Sequence, residues 1–441
     1  MNTKIDFIIG NTKRCLVAMF LPMMVAMLLN MAYNLVDSLW IGNLLGETAY
    51  AALTNSTPII LILNSVAMGA TNGVSILLSQ AIGANEKEKT EKMIMTSLAV
   101  AIIFSLGVTI LLEMFLKPIL VLLHTPDEIM QSAYQYLAIY VLGYLAVYLY
   151  CYFTAVLRSF GNSVFQVIAM LFCTVLNAVL DPLFIHYLGF KGAAIATVAS
   201  QSICLIFMLV YLYKKQFFKL HLSYFDRTLV AAFIIKGIPS AFQQSIPAIS
   251  TSFLTSLVTG FGISALAAYG ITGKLETILF YPAMALNMSL TSIVGQCVGG
   301  TRYDRAKDYI KLALKYGTVI LIIFSALIVC FSNRLSYLFV SSEAAAEIVA
   351  VYFKIVGIGY VLNTVTNCFL GSLNGMGKPS KSMLCMVLYY LIIRMPLAWV
   401  LSNSLHELNG IWIAVLISHV IAATAATVVA NRELCKQEKQ D

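Results

Sequence analysis

Residues 15–42 read CLVAMFLPMMVAMLLNMAYNLVDSLWIG, and this stretch decides the class of fold. From Cys15 to Val36 it carries no charge, and about twenty apolar residues suffice for a helix to cross the hydrocarbon layer of a bilayer. It exceeds the apolar core of a signal peptide and lacks a small-residue cleavage site, so Lys4, Lys13 and Arg14 read as the flank of a first span. Comparable runs begin near Thr57, Met93, Gln131, Val164 and Gly192, and again near Leu229, Ala265, Tyr309, Ile348, Ser382 and Gly410. The expectation is an all-α integral membrane protein of twelve transmembrane helices.

Composition agrees with the spans. Of 441 residues 60% are hydrophobic and 11% charged, against about 25% charged in soluble domains, so lipid must cover most of the surface. The net charge of +8 does not mark a nucleic-acid partner, because the basic residues alternate between loops. One set of loops holds Lys87, Lys89, Lys92, Arg158, Lys214, Lys215, Lys219, Arg227, Lys236, Arg302, Arg305, Lys307, Lys311, Lys378 and Lys381, and the opposite set has Lys117, Lys191 and Arg334. Retention of Lys and Arg on the cytoplasmic side places both termini there, in a multi-pass protein of the cell membrane in contact with lipid. Nine cysteines without paired short spacing argue against a disulfide framework or a zinc site. No phosphate-binding glycine loop, zinc-protease helix, nucleophile elbow or dinucleotide fingerprint is present. Neither an enzyme nor a cofactor is expected.

The two halves repeat each other. Leu21-Pro22 matches Ile238-Pro239, Ala51-Ala52 matches Ala267-Ala268, Gln80 and Gly83 match Gln296 and Gly299, Leu157 and Gly161 match Leu373 and Gly377, Pro182 matches Pro396, and Gly192 matches Gly410, at offsets of 214 to 218. Six spans per half give both halves the same polarity, a parallel repeat about an axis along the membrane normal. The expected lobes are residues 1–213 and 229–441, joined by a basic linker at 214–228.

Ionisable residues inside spans are costly and are functional candidates by default. Asp37 follows Asn30, Tyr33 and Asn34 at three- and four-residue spacing on one helical face. Asp181 stands one turn after Asn177 in the fifth span, and Thr197 supplies a hydroxyl in the sixth. Converging, Asp37, Asn177, Asp181 and Thr197 would make an oxygen-rich site for Na+ or a carboxylate pair sharing a proton; the alternative is that both acids only cap or cross-link helices. Their counterparts in the second half are apolar: Phe253 or Leu254, and Met395. That half has the ionisable residues Lys274 and Glu276 in the eighth span, Lys354 at the start of the tenth and Arg394 in the eleventh, of which Lys274, Glu276 and Arg394, with Gln244 in the seventh, are candidate contacts for a substrate. Tyr136, Tyr140, Tyr144, Tyr148 and Tyr152 form a stripe that either packs or, at Tyr140 and Tyr144, lines a cavity for flat cations.

These residues resemble the multidrug and toxic compound extrusion family, in particular its branch typified by the DNA-damage-inducible protein F. The resemblance spans almost the whole chain and rests on Leu21-Pro22 through Asp37-Ser38-Leu39-Trp40-Ile41-Gly42, on Gln80-Ala81-Ile82-Gly83-Ala84 with its repeat Gln296-Cys297-Val298-Gly299-Gly300, and on Asn177 to Asp181-Pro182. It implies a monomeric transporter of two lobes that exports small organic cations in exchange for Na+ or H+ by alternating access, with a coupling site like Asp37, Asn177, Asp181 and Thr197. Another branch of the family has acids in the seventh and tenth spans, where this chain has Gln243, Gln244, Asn363 and Asn367. A flippase for lipid-linked sugars and a membrane sensor without flux are the rival readings.

Overall fold

The computed structural model describes residues 5–123, 125–218, 221–337 and 342–439. Lys4 and Lys219, counted above among the basic flanks, lie outside the described residues. Among the described residues the chain is helical throughout, without a strand. The first half contains α1 (Thr12–Leu45), α2 (Glu47–Gly83), α3 (Lys87–Leu122), α4 (Asp127–Leu142), α5 (Tyr144–Ser159), α6 (Val164–Leu188) and α7 (Phe190–Lys215). The second contains α8 (Arg227–Thr259), α9 (Ile263–Gly299), α10 (Tyr303–Ser336), α11 (Glu343–Val356), α12 (Gly359–Gly375), α13 (Pro379–Met386), a π-helical segment Val387–Arg394, α14 (Met395–Leu405) and α15 (Asn409–Glu438). Among the described residues ten helical stretches are long and apolar enough to cross a membrane, and two bent pairs, α4 with α5 and α11 with α12, raise the number to twelve when each pair is one span.

The helices outrun the apolar runs that announced them: α2 starts at Glu47, not near Thr57, and α3 at Lys87, not near Met93. A helix of 37 residues such as α2 is about 55 Å long at 1.5 Å per residue, well beyond the hydrocarbon layer, so its ends project into the polar interface. Polar side chains start three of them, Ser342 Oγ accepting from Ala345 N at 3.3 Å ahead of α11. Asn11 Oδ1 accepts from the N–H groups of Lys13 and Arg14 at 3.1 and 3.2 Å, and Asp226 Oδ1 accepts from Thr228 N at 2.9 Å, each satisfying otherwise unpaired first-turn donors.

The fourth and tenth spans are not the straight helices that hydropathy suggests. They bend by 47° and 54°, at Gly143 and Gly357, 214 residues apart. At Gly143 a Cβ would run into the Val198 side chain, and at Gly357 into Val329 and the Phe353 carbonyl. Lys354, expected at the start of the tenth span, therefore sits in the last turn of α11, just before the bend.

The repeat extends to the backbone. Gly161 and Gly377 turn the chain at φ 78° and 74°, and Asn85 and Thr301 after α2 and α9 adopt φ 57° and 54°. The halves meet along α2, α8 and α9 through a reciprocal contact. Gln80 Nε2 donates to the Gly375 carbonyl at 2.8 Å, and its repeat partner Gln296 donates to the Ser159 carbonyl at 2.6 Å. Ser75 and Ser292 face each other at 3.2 Å. No Cβ fits at Gly83 against the Gln296 backbone, nor at Gly299 against that of Gln80, so these glycines set how closely the halves approach. Lys236 Nζ adds a bond to the Gly377 carbonyl at 2.7 Å.

This seal lies at one end of the bundle, the end bearing the basic loops. Both described termini are there: Arg305 Nε donates to the Phe7 carbonyl at 3.0 Å, and Lys307 pairs with Glu438 at 2.6 Å. Toward the other end α9 turns bare, since a Cβ at Gly270 or Gly273 meets nothing within 4 Å, and Thr251 and Ser252 of α8 are exposed. The lobes splay there, leaving a cleft.

Candidate functional site

Among the described residues, two ionisable clusters stand out inside the helical bundle, one in each half. The first is built by α1, α6 and α7. Asn177 and Asp181 are fully buried, one turn apart on α6, and Asn177 Nδ2 donates to Asp181 Oδ1 at 2.9 Å. Asp37 reaches toward them from α1 and retains 8% exposure, its carboxyl interacting with that of Asp181. Tyr33, one turn before Asp37, turns inward with it, its hydroxyl 3.4 Å from Ser200 Oγ on α7, the helix that also carries Thr197. Pro182 follows within α6, which relieves the local backbone ladder.

What distinguishes this cluster is its deficit of donors. Asp37 Oδ1, Asn177 Oδ1, Asp181 Oδ2 and Thr197 Oγ1 are all buried without a hydrogen-bond partner. Buried polar atoms are almost always paired, and two carboxylates this close repel each other strongly in a dry interior. Four orphaned oxygens on three helices are what a desolvated hard cation or a shared proton would complete. Among the described residues no group of three or more His, Cys, Asp or Glu could hold a metal ion, so a multi-carboxylate divalent site has no candidate here.

The remaining first-half residues divide differently from the sequence expectation. Asn30 and Asn34 do not share the inward face of Tyr33 and Asp37: both are exposed, and Asn34 Nδ2 bonds back to the Asn30 carbonyl at 2.7 Å. Positions 30 and 34 lie on the stripe beside 33 and 37, and the helix turns that stripe outward. Tyr140 and Tyr144, weighed as cavity lining, are buried in the core of this half. Their hydroxyls reach Asn64 Oδ1 at 3.2 Å and the Leu63 carbonyl at 3.0 Å, so they hold α2 to the bent span and are spent in packing.

The second cluster had no sequence signal as a unit. Glu276 of α9 accepts through Oε1 from the hydroxyls of Tyr352 on α11 and Tyr360 on α12. Further along, Arg394 at the end of the π-helical segment is buried at 7% exposure, with its guanidinium over the rings of Tyr389 and Tyr390 at 4.7 and 4.6 Å. Its Nε donates to Ser418 Oγ at 3.0 Å and Nη2 to the Tyr389 hydroxyl at 2.7 Å. His419 joins the two groups: Nδ1 lies 2.6 Å from the Tyr389 hydroxyl and its ring packs 5.8 Å from that of Tyr360. Acid and base thus sit at opposite ends of an aromatic bridge instead of forming a direct ion pair. Arg394 is locked in the core of its half. Lys274 is exposed, and Gln244 is half-buried beside Gln243, whose Oε1 is buried without a partner.

Tyr352, Tyr360, Tyr389, His419 and Trp412 were missed. The repeat carried one signal for them, because Tyr352 and Tyr360 stand 216 residues after Tyr136 and Tyr144.

The profile of the MatE family matches residues 22–183 and again 239–400, one copy per half. A probable multidrug resistance protein of Bacillus subtilis, YpnP, is 27% identical over 431 residues, covering 96% of this chain and 95% of that protein. An FAD transporter of Shewanella oneidensis is 26% identical over 436 residues, 97% of this chain and 96% of its own. Among solved structures, MATE in complex with MaL6 is similar in fold at a TM-score of 0.94 and 24% identity over the full length of both chains. A MOP superfamily transporter from Pyrococcus furiosus is similar at 0.94 and 23% identity, with 99% of each chain covered.

Proposed function

Because this chain belongs to the MatE family of multidrug efflux transporters, we propose that it is an antiporter exporting organic, cationic and amphipathic compounds in exchange for Na+ or H+. Its family makes it a multi-pass membrane transporter and not an enzyme. The finer reading rests on one observation: the orphaned oxygens of Asp37, Asn177, Asp181 and Thr197. A lone pair of buried carboxylates is unstable without a proton or a cation between them, so loading and unloading changes how α1 packs on α6 and α7.

Coupling follows from where α1 runs. Its outer half carries Asp37 against α6, while its inner half, with Leu16, Met19, Phe20 and Met23, is buried in the core of the second half beside α9 and α10. Movement at the acid pair therefore reaches the seal between the lobes. With the basic end cytoplasmic, the lobes are residues 1–213 and 229–441, the linker 214–228 and both termini are cytoplasmic, and the cleft opens outward. In this reading the protein acts as a monomer surrounded by lipid, binds no nucleic acid, and needs no cofactor besides the coupling ion.

The test is accumulation of cationic dyes in cells expressing the protein. Expression lowers accumulation, and Asp37→Asn or Asp181→Asn abolishes the effect at equal protein level. Accumulation unchanged by expression across several cationic dyes would overturn the proposal in favour of a flippase or a sensor.

A further inference from the structure

The second-half cluster has an approach from the cleft that its buried tyrosines conceal. Tyr269, Gly273 and Glu276 follow one another at four- and three-residue spacing and so share a face of α9. Gly270 and Gly273 leave that helix without side chains between Tyr269 and Glu276 on one side and exposed Lys274 and half-buried Thr277 on the other, and a Cβ at either glycine meets nothing within 4 Å. Further toward the seal, the stripe that carries Lys274 continues one heptad at a time through Tyr281 to Met288, whose sulfur lies 3.6 Å from Arg158 of the first lobe. The bare notch therefore faces the space between the lobes.

Glu276 and Tyr269 are both half-buried at the mouth of this notch. The wall behind is aromatic: Trp412 stacks on Tyr269 at 5.8 Å and meets Tyr352 edge-on at 4.7 Å. Only Oε1 of Glu276 takes the two phenol donors. The nearest buried cation, Arg394, is held away by Ser418 and Tyr389. A π-helical segment, a rare feature that is found mostly at functional sites, carries Arg394 there. Trp412 Nε1 is fully buried and has no partner.

We propose that the notch formed by Tyr269, Gly270, Gly273 and Glu276 is a binding site for the charged head of an organic cation, with the carboxylate supplying the charge and Tyr269 a ring face. Carboxylate plus aromatic face is the chemistry that selects a diffuse, weakly hydrated cation over a small hydrated one. The inference rests on the antiport reading above and deepens it: coupling ion and substrate occupy different lobes. Binding then bridges the second lobe's Glu276 to whatever part of the substrate lies across the cleft, while Asp37 and Asp181 keep their own ion.

The experiment uses full-length protein in lipid nanodiscs, in a Trp40→Phe, Trp399→Phe background that leaves Trp412 as the sole indole. Tetraphenylphosphonium is titrated while Trp412 fluorescence is read, and tetraphenylborate serves as the probe of equal shape and opposite charge. Saturable quenching by the cation alone is expected. Glu276→Gln and Gly273→Leu each weaken it at least tenfold, the latter filling open space without touching a charge. Gly107→Leu, where a Cβ also meets nothing, leaves the affinity within threefold. Asp37→Asn keeps cation binding while losing gradient-driven export, which separates failure of this site from failure of the coupling reading. Undiminished binding in both Glu276→Gln and Gly273→Leu, equal binding of tetraphenylborate, or loss of binding in Asp37→Asn with retention in Glu276→Gln would overturn the proposal.

Discussion

The two lobes share a scaffold and differ in how they treat buried charge. In the first, Asp37 and Asp181 bring like charges together with no donor for Asp37 Oδ1 or Asp181 Oδ2. In the second, Glu276 and Arg394 place opposite charges apart, each supplied with hydroxyl or ring partners. Physically these are opposite solutions. A donor-starved acid pair is incomplete, whereas a carboxylate that takes two phenol donors at the end of an aromatic bridge is satisfied. Under the antiport proposal, a duplicated fold lets one lobe exchange the coupling ion while the other keeps a separate place for cargo.

The comparison breaks first under charge removal. Replacing Arg394 by Met removes the guanidinium that bonds Ser418 Oγ and the Tyr389 hydroxyl and stacks on Tyr389 and Tyr390, and is expected to destabilise the protein by about 1–3 kcal/mol, read as a lowered Tm in detergent. Asp37→Asn in the first lobe removes a repelling charge, so its Tm is expected to stay level or rise. Equal losses for the two variants would erase the contrast. The scaffold should answer the other way, with the lobes alike: Gly83→Leu and Gly299→Leu each force a side chain onto the facing glutamine backbone and are expected to cost about 1–3 kcal/mol, within error of each other. A large difference would show that the reciprocal seal is not shared evenly. The smallest effect belongs to Trp412→Phe. Its Nε1 has no bond to lose, so the loss is confined to volume at about 1 kcal/mol, visible as a small Tm shift with cation-driven export retained.

Much of this was legible in the sequence, because lipid imposes a strong rule. A span must be apolar for about twenty residues, and the chain from Cys15 to Val36 obeys it visibly. The repeat was legible because turns and close approaches demand the same residue twice, as at Gly161 and Gly377. The acid pair was legible because Asp37 and Asp181 interrupt apolar runs. Other features left weaker traces. The bends at Gly143 and Gly357 do not alter hydropathy, so each broken span reads as a straight one. Asn30 and Asn34 stand close enough to Asp37 on a helical wheel that only packing decides which stripe faces α6. The Glu276 cluster draws on positions 276, 352, 360, 394 and 419, each ordinary alone, and tyrosine in a span is more often packing, as Tyr140 and Tyr144 proved to be.

The claim that carries the account is that the coupling charge sits in the first lobe. Export of a cationic dye from proteoliposomes, driven by an imposed sodium or proton gradient, tests it with Asp37→Asn, Asp181→Asn and Glu276→Gln side by side. One charge moving through ~100 mV is worth about 2.3 kcal/mol, so a coupled protein reaches roughly fifty-fold accumulation. The account predicts that both aspartate variants lose this gradient-driven component, while Glu276→Gln, assayed at dye concentrations high enough to offset weaker binding, keeps its dependence on the gradient. Full gradient-driven export in both Asp37→Asn and Asp181→Asn would contradict it.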